Sequence, residues 1–191
     1  MKIVLLVEGD TEAALARHVK AFLDRRAAAA GRPPVRLETR GKVNVKPHKF
    51  KQRVGLELRA PDVKAVVGLI DVFPRFKSAT QAKAYLAESA DHPKFYAHAA
   101  QFDVEAWLLP YWADICRRVR VKQKAPGSNP ETVNQINPPA YRLRALYQRA
   151  KPRPRKYVKT TEMFAILKGK DLRFLPTNVQ SSKPFSTRCS P

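Results

Sequence analysis

The chain has 191 residues, and its 37 Lys/Arg against 16 Asp/Glu give a formal net charge of +21. That length suits one ordinary domain with its own core, and that charge points to a polyanionic partner, nucleic acid first. Cys116 and Cys189 supply neither a disulfide framework nor a zinc-ligand spacing, so a reducing cytoplasmic setting is expected, and no stretch approaches membrane-spanning length.

Lys2-Ile3-Val4-Leu5-Leu6-Val7 is a continuous apolar run of the kind buried on both faces of a parallel sheet. Glu8, Asp10 and Glu12 end it at once, which argues against a signal peptide. From Asp10 to about Ala28 a helix is predicted, with Leu15, Val19, Phe22 and Leu23 on one stripe, acids in its first turn and Arg25-Arg26 near its end. Gly31-Arg32-Pro33-Pro34 stops it. A short strand around Val35–Thr39 follows, and then a basic segment from Arg40 to Arg59. Val63-Lys64-Ala65-Val66-Val67-Gly68-Leu69-Ile70 is the second strong buried strand, and Asp71 closes it.

Beyond Asp71, a helix over Ser78–Ser89, a short strand over Lys94–Ala99 and an apolar helix over Val104–Ile115 complete a repeated strand-helix order. This order predicts an α/β fold with an open, mostly parallel sheet flanked by helices, whose ligands bind outside the carboxyl ends of the strands. After Cys116 the pattern weakens. Pro138-Pro139 can start a helix running to about Ala150, Thr160 or Thr161 can cap another through Leu167, and Gly169 can end it. The tail from Pro176 to Pro191 lacks periodicity. The expected organisation is a core over residues 1–116 and a basic, mainly helical or irregular extension over 117–191 that packs on the core or reaches from it.

The charge is uneven, with 19 Lys/Arg against 12 Asp/Glu in residues 1–106 and 18 against 4 in residues 107–191. Three basic stretches are candidate nucleic-acid contacts: Lys42, Lys46, Lys49, Lys51 and Arg53; Arg117, Arg118, Arg120, Lys122 and Lys124; and Arg153, Arg155, Lys156 and Lys159. The last two stretches read as loops or extended arms. Any single run reads equally well as a solvated face, but three with so little acidic compensation favour phosphate binding, which weakens steeply with salt. Tyr141, Tyr147 and Tyr157 lie among the C-terminal cations, where they either stack on unpaired bases or fill a core.

Carboxylates gathered inside so basic a chain need a reason, and a divalent ion at a phosphodiester supplies one. Glu8 and Glu12 follow the first strand, Asp71 ends the second strong strand, and Asp103 and Glu105 follow the next. Glu8 and Glu12 also read as favourable first-turn charge. Asp103 and Glu105 are two residues apart, so on an α-helix they diverge by about 200 degrees and only one faces a common site; Glu105, opening the apolar turn Ala106-Trp107-Leu108-Leu109, is the better placed. The four histidines are scattered, no Ser-His-Asp or Cys-His arrangement is legible, and the glycines form no phosphate loop.

The strand running into Val7-Glu8-Gly9-Asp10-Thr11-Glu12, with a second strand ending at Asp71, resembles a Toprim domain, the fold of topoisomerases, primases and overcoming-lysogenization-defect type nucleases. Gln101-Phe102-Asp103-Val104-Glu105-Ala106-Trp107-Leu108-Leu109, with Asn137-Pro138-Pro139 and Tyr157-Val158-Lys159, is similar to the Toprim-related family called domain of unknown function 4276. The resemblance covers roughly residues 1–170. It implies a Mg²⁺- or Mn²⁺-dependent nuclease in which Glu8 and Asp71 are catalytic and Glu8, Glu12, Asp71, Glu105 and Asp103 hold metal, with Lys156 or Lys159 stabilising the phosphate. It also implies a setting beside an ATPase in defence or mobile-element systems. Where the Toprim motif ends in Asp-x-Asp, this chain reads Asp71-Val72-Phe73, so the second ligand is missing from its usual place. The alternative expectation is a non-catalytic Toprim-like subunit that holds nucleic acid within a larger ribonucleoprotein or ATPase complex.

Overall fold

A computed structural model of the chain describes residues 1–100, 103–126 and 138–170. Strands β1 (Lys2–Val7), β2 (Arg36–Arg40), β3 (Val63–Asp71) and β4 (Phe95–Ala100) form one sheet in the order β2-β1-β3-β4, with every neighbouring pair parallel. Around it lie α1 (Asp10–Ala29), α2 (Pro47–Leu58), α3 (Ala79–Ala90), α4 (Trp112–Val119), α5 (Pro139–Gln148) and α6 (Lys159–Leu167), with a 3-10 helix at Val104–Tyr111 before α4. The α/β class expected from the strand-helix order is the class observed. No described helix is long and apolar enough to cross a membrane. Gln101, Phe102, Asn137, Cys189 and the tail from Pro176 lie outside the described residues.

The continuous apolar character of β1 and β3 has a direct structural cause, since both are central strands covered on two faces. Side chains alternate across the sheet. Leu5, Val7 and Leu69 join α1 (Leu15, Ala16), the 3-10 helix (Val104, Leu108), α5 (Leu143, Leu146) and α6 (Met163, Leu167) in one core. Val4, Leu6, Val66 and Ile70 point the other way, onto Phe50 and Val54 of α2 and Ala82 and Leu86 of α3. Helices α5 and α6 thus share a core with the first strand rather than reaching away from it. Ser78 caps α3, its hydroxyl accepting from the Gln81 amide at 3.1 Å.

Gly68 is where the second core leaves no room for a side chain. A Cβ there would stand 2.8 Å from Phe95 Cζ and 3.1 Å from its Cε2, and Phe95 is itself held edge-on against Phe50, ring centroids 5.4 Å apart. Gly68→Ala is expected to lower stability by about 1–3 kcal/mol through overpacking. Urea denaturation checks this, and an unchanged midpoint would show that the ring has space to move.

The structure corrects several local expectations. The basic segment Arg40–Arg59 contains a full helix, α2, nucleated by Pro47 in its first turn and anchored by Phe50 and Val54 four residues apart. The single helix expected over Val104–Ile115 is split, because Pro110 lies inside it and the first part takes the tighter 3-10 form. Arg117 and Arg118 belong to α4, and only the residues after Arg120 continue as an irregular arm. Helix α6 begins at Lys159, so Thr160 and Thr161 lie inside it and neither caps it. Tyr147 and Tyr157 are core residues, 0% and 5% exposed and packed edge-to-face, so stacking on bases falls to Tyr141 alone, which is 59% exposed.

Strand order also locates a crevice. The chain leaves β1 for β2 on one side and leaves β3 for β4 on the other, so the connections diverge between the carboxyl ends of β1 and β3. In open parallel sheets this divergence is where ligands bind. Glu8 directly follows β1, and Asp71 is the last residue of β3.

Candidate active site

Four carboxylates gather at the crevice, three of them buried. Glu12 stands in the first turn of α1 and is 4% exposed; Glu105, in the first turn of the 3-10 helix, is fully buried; Asp103, just before that helix, is 8% exposed. Asp71 is half-buried as a residue, but its Oδ1 is enclosed. Glu12 Oε2, Asp71 Oδ1, Asp103 Oδ1 and Glu105 Oε2 have no hydrogen-bond partner among the described residues. Buried oxygens of this kind carry a large desolvation cost unless something cationic meets them.

The chain builds this cluster by folding tightly around it. Gly9 has extended backbone at the start of α1, and a Cβ there would lie 2.7 Å from Glu12 Oε2. Glycine therefore lets the Glu12 carboxylate fold back over the strand end. Asp103 also has extended backbone, with φ −135° and ψ 162°, and its Oδ2 accepts from the Ala140 amide at 3.2 Å, at the start of α5. The expectation that only one of Asp103 and Glu105 faces the site is therefore wrong. The rotation of about 100° per residue on which it rested belongs to an α-helix, whereas Asp103 precedes the helix and Glu105 sits in a 3-10 turn.

Their electrostatics mark them as mutually dependent. Burial, then the charges of Glu12, Asp103 and Glu105, pushes the Asp71 carboxyl up to about 9, against which Lys159 acts only weakly. Burial and Glu105 raise Asp103 to about 7, while the Ala140 amide, Lys159 and the Ala106 amide pull it down. Burial and Glu105 likewise raise Glu12, opposed by the backbone amides of Glu12 and Gly9 and by Lys159. So many carboxylates in one low-dielectric crevice cannot all ionise without a cation.

Lys159 is the resident cation. Its Nζ lies 2.8 Å from Glu105 Oε1. Burial disfavours its charge, but pairing with Glu105 and the charges of Asp103 and Asp71 outweigh that and raise its affinity for the proton. Lys156, the other candidate, is exposed, and no described ion pair joins it to the carboxylates. Tyr157, two residues before Lys159, is buried beside Glu105 and Asp103, and its hydroxyl has no partner among the described residues. Burial and those charges hold it firmly protonated.

Glu8 occupies the rim. Its carboxylate accepts from Arg75, and the Asp71 charge also acts on that guanidinium. Arg75 is a site residue that sequence reading missed. Its partner lies 67 residues away in the chain, and the only local signal was a cation four residues after the acidic strand end. Phe73, in the place of the motif's second aspartate, is 50% exposed.

Among the described residues, no three Asp, Glu, His or Cys side chains are arranged to ligate one ion as they stand. Magnesium does not require that many, because it is held by one or two carboxylates and completes its shell with water and phosphate oxygens. The all-oxygen donor set and its unpartnered buried atoms fit such an ion, which Asp71, Glu12 and the Oδ1 of Asp103, none of them paired with Lys159, would be free to hold.

The basic candidates fall into two clefts. Lys42, Lys49 and Arg53 line one of about 210 Å³ together with Gly41, Val43 and Asn44. It adjoins the crevice, since the Val43 amide donates to the Val7 carbonyl at 3.1 Å. Lys46 is exposed nearby, and Lys51 is paired with Asp91 at 2.8 Å. Arg118, Arg120, Lys151, Arg153 and Arg155 line the other, about 350 Å³ in volume. Arg117 is spent on Asp114 at 2.9 Å, and Lys122 and Lys124 are exposed on the arm after α4.

The family model described as Domain of unknown function (DUF4276) matches residues 7–185. No curated protein and no solved structure matches the chain.

Proposed function

The chain belongs to the DUF4276 family, and from that premise we propose that it is a metal-dependent nuclease of Toprim type, acting on DNA or RNA. The observation that carries this reading is the convergence of Glu12, Asp71, Asp103 and Glu105, with unpartnered buried oxygens, at the carboxyl ends of β1 and β3. A fold pays for four such groups in one crevice only where a ligand compensates them. The basic clefts give the nucleic-acid backbone a route to that crevice.

The roles follow from position. Asp71 and Glu12 would hold a magnesium or manganese ion, while Asp103 and Glu105 keep the surrounding field negative. The bound ion supplies charge neutralisation and an acidified water. Lys159 is anchored to Glu105 at one side of the crevice, where its ammonium meets a phosphate oxygen as negative charge develops there. Arg75 reaches across the rim from Glu8 and orients the substrate phosphate. The resemblance to Toprim proteins extends the proposal to a setting beside an ATPase in a defence or mobile-element system.

Two observations favour a second reading, a nucleic-acid-binding subunit without catalysis. Phe73 replaces an expected ligand, and Lys159 already neutralises part of the cluster. Incubating labelled single- and double-stranded DNA and RNA with Mg²⁺, Mn²⁺ or chelator separates the two. The nuclease reading expects cleavage that appears only with the divalent ion; retention of nucleic acid without cleavage under every condition would leave the binding subunit.

A further inference from the structure

We infer that the cleft between α4 and the segment leading into α6 is a pocket for a terminal phosphate monoester of a nucleic-acid strand, holding the strand end while the carboxylate crevice acts on the chain beyond it. This rests on the nucleic-acid reading above and deepens it.

The cleft is lined by Arg118, Arg120, Lys151, Arg153 and Arg155 around Pro152. The carboxylate set against these five cations is Glu162, which is 5% exposed and lies behind them. Arg118 Nε donates to Glu162 Oε2 at 2.7 Å, and Arg155 Nη2 donates to Glu162 Oε1 at 3.3 Å. Two guanidiniums are thereby fixed in orientation, each with further N–H donors to offer, so little side-chain entropy is lost when an anion arrives. The backbone is held too. The Lys151 amide donates to the Val119 carbonyl and the Arg155 amide to the Tyr147 carbonyl, both at 3.0 Å. Arg120, Lys151 and Arg153 make no described ion pair.

Charge and size select the ligand class. A backbone diester brings one negative charge, whereas a phosphate monoester brings about 1.5 to 2 together with three strong acceptor oxygens. Five cations converging on one concave site exceed what a diester calls for. The volume, about 350 Å³, is at the small end for ligand pockets, suited to a phosphate with its sugar rather than a run of duplex. The other cleft, with Arg53 committed to Glu57 at 2.6 Å, suits a passing backbone better.

Helix α6 joins this pocket to the crevice. Lys159 and Glu162 are one turn apart on it, and they hold Glu105 and the two arginines respectively. A strand whose end occupies the pocket therefore passes the carboxylates within a few nucleotides of that end.

The test is binding of one oligonucleotide bearing a 5′-phosphate, a 3′-phosphate or only hydroxyl ends, measured by fluorescence anisotropy in chelator at fixed salt, with inorganic phosphate as competitor. One phosphorylated form is expected to bind about 10-fold more tightly than the hydroxyl form, the scale of one or two charge-assisted hydrogen bonds, and the two arms identify which end is read. In the double variant Arg120→Gln/Arg153→Gln, which spares the Arg118-Glu162-Arg155 contacts, that ratio is expected to fall to about one whatever happens to overall affinity. Equal binding of all three forms by the unaltered protein, or a preference that survives the double variant, overturns the inference. Because chelator suppresses cleavage, an end preference in a protein that never cuts would leave this pocket standing and remove only the nuclease.

Discussion

Asp71→Asn is expected to abolish divalent-ion-dependent cleavage, with a loss of at least about 100-fold, and at the same time to raise the thermal stability of the metal-free protein. Both effects come from the same burial. The Asp71 carboxyl is pushed up to about 9 by its surroundings, so between roughly pH 4 and pH 9 the folded chain keeps a proton that the unfolded chain has released. Stability in chelator therefore falls as pH rises through that window and levels off outside it. Asparagine cannot ionise, so it removes the share of this dependence that belongs to Asp71 while the shares of Asp103 and Glu12 stay, and it gains on the order of 1–4 kcal/mol near pH 8, about 3–10 °C in melting temperature for a chain of this size. Magnesium is expected to stabilise the unaltered protein more than the variant, since binding to the folded state alone adds stability. Calorimetric melts at pH 5 and pH 8, with and without magnesium, read all of this. Full cleavage by the variant would remove Asp71 from the chemistry, and an unchanged melt would mean that its carboxylate is adequately solvated.

The same physics explains which parts were legible in the sequence. Central strands announce themselves, because β1 and β3 must be apolar on both faces, and the carboxylates at their ends stand out against that background. Helix α2 was missed because its buried face is only Phe50 and Val54 amid lysines and arginines, so charge masked a four-residue spacing that was present. Glu105 and Asp103 were found as acids but misjudged in direction, since an α-helical rotation was applied where Asp103 is extended and Glu105 lies in a 3-10 helix. Arg75 and Glu162 are products of tertiary structure. Their partners come from 67 and 44 residues away, and no local period encodes such a meeting. Tyr157, grouped with the basic arm by its neighbours, is drawn into the core by its ring.

Glu162 and Glu105 make opposite predictions although both are buried acids. Glu162 accepts from the Tyr147 hydroxyl and from Arg118 Nε, each at 2.7 Å, and from Arg155 at 3.3 Å. Removing it by Glu162→Ala orphans a fully buried tyrosine hydroxyl and leaves two arginines facing each other, so a loss of about 3 kcal/mol is expected. The Arg118 and Arg155 side chains are 38% and 42% exposed, so water offsets part of their share and keeps the loss below that of a fully enclosed pair. Glu105 has one partner, Lys159, and three acidic neighbours that its charge disturbs. Glu105→Gln relieves that repulsion and releases Lys159 toward Asp71 and Asp103, so stability is expected to hold or rise while cleavage is lost. Urea denaturation of the two variants distinguishes a carboxylate satisfied by the fold from one kept for a ligand. If Glu105→Gln proved as destabilising as Glu162→Ala, the crevice would be an internal ion-pair network, and its acids would have no claim on a metal.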